Sequence, residues 1–306
     1  MIKLICLAGP TGSGKTALGV KLAKELCGEI ISADSMQIYK GMNIGTAKPD
    51  EEEMQGIKHH LMDIISPFSE FSVKEFTDMA KECISDIVSR GKQPIVVGGT
   101  GLFINSLIDN VSFSEGESDE KLRNELKELA LKHGNEYVHA MLKNIDYDSY
   151  LRLHPNNLNR VIRAIEIYKT TGITMTEQIK NSKKEPSPYD LSYFGLNADR
   201  AYIYDRIDKR VDIMFENGLE NEVRALVDSG LDLSFKSMQA IGYKELYLYF
   251  EGKLSYEDAV SKIKQESRRY AKRQLTWFRR DERIKWIDIL KYTDCDSQYE
   301  YIKQVI

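Results

Sequence analysis

The chain has 306 residues, 42% of them apolar and 9% aromatic, and its 43 Lys+Arg against 47 Asp+Glu leave a formal charge of −4. Such a balance describes a globular protein with material for a large core; it excludes disorder and fibrous architecture and argues against gripping nucleic acid by bulk positive charge. No apolar run approaches the ~18 residues that span a bilayer, and the opening residues turn glycine-rich too early for a secretory signal, so a cytoplasmic protein with no membrane partner is expected.

Lys3 to Ala8 is an apolar run that enters a glycine turn, after which Leu18, Leu22 and Leu26 recur at every fourth position, the pattern of strand, loop and helix. The turn, Gly9, Pro10, Thr11, Gly12, Ser13, Gly14, Lys15, Thr16, fits G-x-x-x-x-G-K-[ST] in the strand-to-helix context that this motif requires. Glycines let backbone N–H groups converge on phosphate oxygens, the helix start adds a favourable dipole, Lys15 supplies a point charge and Thr16 a hydroxyl for Mg²⁺. Such a cradle names a ligand group and not a reaction, since kinases and NTPases share it. Neither N-K-x-D nor Asp-x-x-Gly is present to mark a switch GTPase.

A second apolar run at Ile30-Ile31 ends in Ala33-Asp34-Ser35, and a third at Ile95 to Val97 ends in Gly98-Gly99-Thr100-Gly101. Between them Ser72 and Glu75 form a capping box for a helix with the apolar stripe Val73, Phe76, Ala80, Cys83, Ile84 and Ile87. Strands alternating with helices predict a parallel α/β sheet. A parallel second strand delivers Asp34 to the carboxyl edge, where ligands of such sheets bind. There it can hold Mg²⁺ through water or accept a proton from a nucleophile; taken alone, it is equally well a turn residue.

Beyond Val111 the sequence becomes charged and helical as far as the breaker-rich segment ending at Tyr189, which predicts a helical insertion over 113–189 in a core formed by 1–112 and 190–306. Within it, Arg160 and Arg163 lie three apart on a helix whose other face is Leu158, Val161, Ile162 and Ile165, so both are expected to point away from the core, free to meet phosphate. Leu191 to Leu196 reads as a returning strand, and Asp199 opens a helix that stops near Gly218 with the stripe Ile203, Ile207, Val211 and Met214. Arg210 borders that stripe, where a guanidinium can be aimed inward, and Arg206 one turn earlier competes with it. Ser255 opens a long helix in which the stretch from Lys262 to Lys285 carries ten cations against three acids, a local basic patch inside an acidic chain. Ile284 to Ile287 reads as a last strand. Cys6, Cys27, Cys83 and Cys295 form no C-x-x-C pair, and His59-His60 has no ligand cluster around it, so neither zinc nor a disulfide framework is indicated. No heptad seam appears, and a monomer is expected.

The block from Asp34 through Tyr39 to Pro49, the cradle before it and Gly98 to Phe103 after it together resemble the tRNA dimethylallyltransferases, also called tRNA isopentenyltransferases. His154-Pro155-Asn156, Arg160 to Glu166, Ala240 to Glu245 and Lys272 to Phe278 extend the resemblance over nearly the whole chain, in family order. It implies a P-loop NTPase-like parallel sheet flanked by helices, with an inserted all-helical domain. The implied reaction moves a dimethylallyl group from dimethylallyl diphosphate to N6 of the adenosine immediately 3′ of the anticodon, so the partners are that diphosphate and a tRNA anticodon stem-loop. In this setting the cradle from Gly9 to Thr16 holds the diphosphate leaving group together with Arg210, and Mg²⁺ sits near Thr16, with Asp34 reaching it through water. Asp34 matches the general base and Thr100 a contact to the flipped base; with Lys15 and Arg210 they make the catalytic set. Asp34, Ser35, Met36, Gln37 and Thr100 on the core, and Arg123, Asn159, Arg160, Val161, Ile162 and Arg163 on the insertion, correspond to tRNA-facing positions. Phe103 stands where the family pattern has tyrosine and Asn159 where glutamine is common. Other readings of the cradle are a small-molecule or nucleoside kinase, an RNA-binding NTPase, and a prenyltransferase acting on free nucleotides, against which the insertion and basic helix argue.

Overall fold

The computed structural model describes residues 1–111, 119–182 and 186–306. Its strands are β1 (Ile2–Ala8), β2 (Gly28–Ser32), β3 (His59–His60), β4 (Gln93–Gly98), β5 (Tyr189–Asn197) and β6 (Lys285–Asp288), joined in the order β3-β2-β4-β1-β5-β6 with every neighbouring pair parallel. Helices α1 (Lys15–Glu25), α2 (Glu51–Met54), α3 (Val73–Ser89) and α4 (Gly101–Ile108) intervene among the first four strands and follow them. Helices α5 (Glu120–His133), α6 (Asn135–Ala140), α7 (Tyr147–Arg152), α8 (Leu158–Thr171) and α9 (Met175–Ser182) form the insertion. After β5 come α10 (Arg200–Glu216), α11 (Leu219–Asp228), α12 (Tyr243–Phe250) and α13 (Tyr256–Phe278), and α14 (Cys295–Lys303) follows β6.

Parallel strands covered on both faces read as nearly continuous apolar runs, and β1 does so. Leu4, Cys6 and Ala8 pack with Phe76, Ala80 and Ile84 of α3 and Ile104 of α4, while Ile5 and Leu7 face Leu18 and Leu22 of α1, Ile203 and Ile207 of α10 and Ile302 of α14. A further cluster, with Tyr39, Val211, Leu219, Met238, Tyr243 and Ile263, joins the segment after β2 to α10 through α13. The expected helix starts are present: Ser72 and Glu75 make the reciprocal capping box of α3, and Ser255 Oγ accepts from the Asp258 N–H at the start of α13.

The sequence reading missed one strand. His59 and His60, around which the sequence shows no ligand cluster, form an edge strand that pairs with Ile30 and Ile31. Two residues are too few for a period-2 pattern. His60 Nε2 lies 2.8 Å from the buried carboxylate of Glu29, which also binds Arg90 bidentately at 2.6 and 2.7 Å and Lys92 at 2.7 Å. The Arg90 guanidinium, more than the other partners, holds this carboxyl far below the usual range.

The chain divides into two compact units, Met1–Ile108 with Pro188–Ile306, and Asp109–Ser187. The divisions at 108/109 and 187/188 fall a few residues before those expected at 112/113 and 189/190, and Tyr189, buried and paired with Ile2, belongs to the sheet. Residues 112 and 113, on either side of the first expected boundary, lie outside the described residues, as does most of the breaker-rich stretch before Pro186. The insertion has its own core of Leu126, Ala130, Val138, Leu142, Val161, Ile162 and Ile165.

Candidate active site

The cradle between β1 and α1 is held in a conformation that side chains oppose. Gly12 and Gly14 take φ of +79° and +91°, and a Cβ on Gly12 would stand 3.3 Å from Ile207 Cγ1. Gly14 puts no side chain on the start of α1, so the first-turn N–H groups keep no side-chain cap. Ser13 Oγ, in the middle of the loop, is buried with no hydrogen-bond partner among the described residues. Lys15 Nζ donates to the Pro10 carbonyl at 2.9 Å. Burial, reinforced by Arg210 and opposed by Asp34, brings the Lys15 ammonium down to about 8.

Asp34 follows β2 at the carboxyl edge of the sheet and accepts the Met36 N–H on Oδ1 at 2.9 Å, which fixes its rotamer. Thr100, after β4, donates its N–H to the Ala33 carbonyl at 3.1 Å and accepts the Ser35 N–H on Oγ1 at 3.0 Å. The two loops touch through their backbones: a Cβ on Gly98 would lie 2.2 Å from the Ala33 carbonyl oxygen. Gln37 accepts from Ser32 Oγ at 3.0 Å and donates to the carbonyls of Thr46 and Ala47 at 3.3 and 3.2 Å. Glu222 of α11 secures the other side of that segment, accepting the N–H groups of Asn43, Ile44 and Gly45 at 2.8, 2.8 and 3.1 Å and the Tyr243 hydroxyl at 2.6 Å.

Helices α10 and α13 bring the remaining charges. Arg210 is half-buried, donates to the Ala47 carbonyl at 3.4 Å, and is pressed downward in pKa by desolvation. Arg206 is exposed at the rim of the cradle, with Nη2 4.0 Å from where a Cβ on Gly14 would stand. On α13, Lys264 and Arg268 are bound to Asp212 and Asp208 of α10, which spends part of the expected basic patch on helix packing. Lys272, Arg273, Arg279 and Arg280 remain exposed. Tyr270 is pushed up to about 12, by burial first and then by the charge on Asp34, and so stays protonated.

Thr11, Lys15, Thr16, Asp34, Ser35, Met36, Gln37, Arg210, Tyr270 and Arg273 line one cavity of about 350 Å³, whose apolar wall includes Met214, Leu219, Ile241 and Ile263. Most of the core side chains named from sequence are therefore brought together; Thr100 does not line the cavity and reaches it through its bond to Ser35. Neither Lys15 nor Arg210 has a carboxylate partner among the described residues. The apolar wall and Gln274 escaped the sequence reading, although Gln274 follows buried Ala271 by three positions and precedes buried Phe278 by four. A lone amide on such a stripe is a signal. Phe103, in the place of a tyrosine, stacks on Phe76 at 4.3 Å between centroids.

The insertion residues divide differently. Asn159 and Arg160 are exposed at the first turn of α8, whose cap residue Asn157 makes no side-chain cap bond. Val161 and Ile162, expected to face tRNA, are instead 0% and 3% exposed in the insertion core, where the 3.6-residue period of α8 turns them. Arg163, expected to point freely outward, donates to Glu166 at 2.6 Å, and Arg123 binds the same buried carboxylate at 2.8 and 3.1 Å. A carboxylate with no exposed surface needs such partners, and it recruits them one turn away and from α5.

Among the described residues no helix is long and apolar enough to cross a membrane. A family model described as IPP transferase matches residues 37–281. The structure of a full-length tRNA isopentenylpyrophosphate transferase from Bacillus halodurans is 46% identical, covering 94% of this chain and 90% of that one, with a TM-score of 0.71. A tRNA delta(2)-isopentenylpyrophosphate transferase from Staphylococcus epidermidis is 44% identical over 99% of this chain and 98% of that one, with a TM-score of 0.73. A eukaryotic dimethylallyltransferase acting on tRNA is 32% identical over 94% of this chain and 74% of that one, with a TM-score of 0.80.

Proposed function

Since the chain belongs to the IPP transferase family, whose solved members include a dimethylallyltransferase acting on tRNA, we propose that it transfers the dimethylallyl group of dimethylallyl diphosphate to N6 of the adenosine immediately 3′ of the anticodon. The enzyme is a prenyl transferase of tRNA; the atom modified, the anticodon stem-loop as the recognised element, a monomeric state and a cytoplasmic setting are the finer parts of the proposal. The observation that carries it is the shared cavity: two half-buried cations without carboxylate partners among the described residues, a cradle of N–H groups, an apolar wall and the carboxylate of Asp34.

In this reading the diphosphate lies on the N–H groups of Gly12 to Thr16, the vacant Ser13 hydroxyl, Lys15 and Arg210, while the five-carbon tail takes the wall of Met214, Leu219, Ile241 and Ile263. N6 of a flipped adenine forms a bond to the allylic carbon as the carbon–oxygen bond breaks. The bonding electrons leave with diphosphate, and the amine proton goes to Asp34. Cationic and N–H groups fixed where that negative charge grows are each worth roughly 10²–10³ in rate. Thr100 and Ser35, joined by the bond between them, hold the base side of the cavity, with Met36 and Gln37 adjoining it.

The donor set also fits Mg²⁺. Thr16, Ser32 and Asp34 offer hard oxygens to one cavity, and few protein ligands are needed where substrate phosphates and water complete the shell. When bound there, the ion supplies further neutralisation of the departing diphosphate. Arg160, at the uncapped start of α8, and the exposed cations of α13 are the proposed phosphate contacts for RNA. Asn159 beside Arg160 joins them, whereas Arg123 and Arg163 hold Glu166.

Labelled dimethylallyl diphosphate with unmodified tRNA tests the reaction against its rivals, because a kinase or an NTPase leaves the prenyl carbon where it was. Asp34→Ala is expected to abolish prenyl transfer while holding tRNA affinity within a few fold. Normal turnover by that variant would refute the base.

A further inference from the structure

Helix α13 inserts one neutral side chain between the two halves of the cavity. Gln274 is 5% exposed, its Oε1 accepts the Thr11 N–H of the cradle at 2.9 Å, and its Nε2 donates to the Gly99 carbonyl at 2.9 Å. Thr11 belongs to the loop that binds phosphate, and Gly99 precedes Thr100, whose hydroxyl receives the Ser35 N–H next to Asp34. A Cβ on Gly99 would stand 2.2 Å from Gln274 Nε2, so the second glycine of the Gly-Gly-Thr loop admits this amide. One turn on, Trp277 occupies the space beside Gly101 and donates to Asn105 Oδ1 at 3.1 Å, closing the same seam. Tyr270, one turn before Gln274 on the same helix, lines the same cavity.

We propose that Gln274 is a positioning residue that braces the phosphate cradle against the loop carrying Thr100 and so sets the separation between the departing diphosphate and the incoming amine; the inference rests on the prenyl-transfer reading above. A carboxamide is suited to this place because it accepts from an N–H and donates to a carbonyl at once, across a fixed span. Methionine fills the volume and does neither. An ionised glutamate accepts from Thr11 but sets its second oxygen against the Gly99 carbonyl, whereas a protonated one again donates there. Displacements of the order of 1 Å between reacting groups cost about 10²-fold in rate.

The test compares wild type, Gln274→Met and Gln274→Glu in steady-state prenyl transfer to tRNA, with thermal unfolding of each. Gln274→Met is expected to lose about 10- to 100-fold in kcat while the KM for dimethylallyl diphosphate stays within about threefold, because the phosphate ligands remain. The ratio of Gln274→Glu turnover to that of wild type should rise as pH is lowered from about 8 to about 6, because a buried carboxyl beside a carbonyl takes up a proton in this range. Wild-type kcat in Gln274→Met, or a Gln274→Glu ratio flat with pH, would overturn the inference and leave prenyl transfer standing. Failure of the wild type to move the prenyl group would overturn the functional reading itself.

Discussion

In the core unit Arg210 sits half-buried beside Lys15 with no carboxylate bound to it, whereas in the insertion Arg123 and Arg163 converge on Glu166, a carboxylate with no exposed surface. The first arrangement keeps charge in a poorly solvated place without neutralising it, which costs free energy until an anion arrives. The second completes a buried ion cluster and serves the fold. The same residue type is thus the proposed ligand group in one unit and a structural one in the other, and the partner, not the arginine, decides which.

The sharpest way to break this contrast is to remove the guanidinium in the core and the guanidiniums' partner in the insertion. Arg210→Ala should lower kcat/KM for dimethylallyl diphosphate by about 10²- to 10³-fold with the thermal midpoint unchanged or raised; an intact kcat/KM would remove Arg210 from the donor site. Glu166→Gln should leave donor binding by the core intact and destabilise the insertion by about 3 kcal/mol, the lower end for a broken buried pair because both arginines keep some solvent. Limited proteolysis between residues 119 and 182 reads this, and a stable insertion would show the cluster to be incidental.

The cation pair also has a pH signature. The Lys15 pKa, depressed to about 8, lies below its unfolded value, so the folded chain binds fewer protons than the unfolded one between the two. Unliganded stability should therefore rise with pH above about 8, as the cost of a buried ammonium is relieved, while donor affinity falls, by up to about tenfold per unit. Donor titrations by calorimetry across pH 7 to 10 measure it, and Lys15→Arg should flatten the profile. The smallest effect belongs to the exposed arginine. Arg160→Ala is expected to weaken tRNA binding several-fold and reduce the magnitude of the slope of log affinity against log salt by about 1. An unchanged slope would mean that Arg160 meets no phosphate.

The cradle was legible because it is written in consecutive residues at the end of a strand; Asp34 and Thr100, each readable alone as a turn residue, were singled out by the resemblance, and strand ends on one edge of a parallel sheet converge without further instruction. The apolar stripe left Arg210 and Arg206 as competitors, and the resemblance chose Arg210. Glu166 was not, because periodicity marks which residues face inward and cannot distinguish a charge on that face from its partner one turn away. For this reason Arg163 looked as free as Arg160, and Val161 and Ile162 were carried into the RNA-facing set by proximity in sequence. Gln274 and the ring of N–H groups around Glu222 depend on contacts across more than a hundred residues, which no local pattern encodes.

The carboxylate of Glu29 lies near the start of β2, whereas Asp34 follows the end of that strand. One short strand therefore carries a heavily bonded acid at one rim and the proposed proton acceptor at the other. As pH falls below the ordinary carboxylate range, the stabilisation supplied by this cluster should be lost progressively, although Glu29, held far below that range, resists taking up a proton while the fold is intact. Engineering for tolerance of heat or acid can then be directed at Glu29, Arg90 and Lys92 while turnover is held constant, with the sheet acting as a spacer between durability and chemistry.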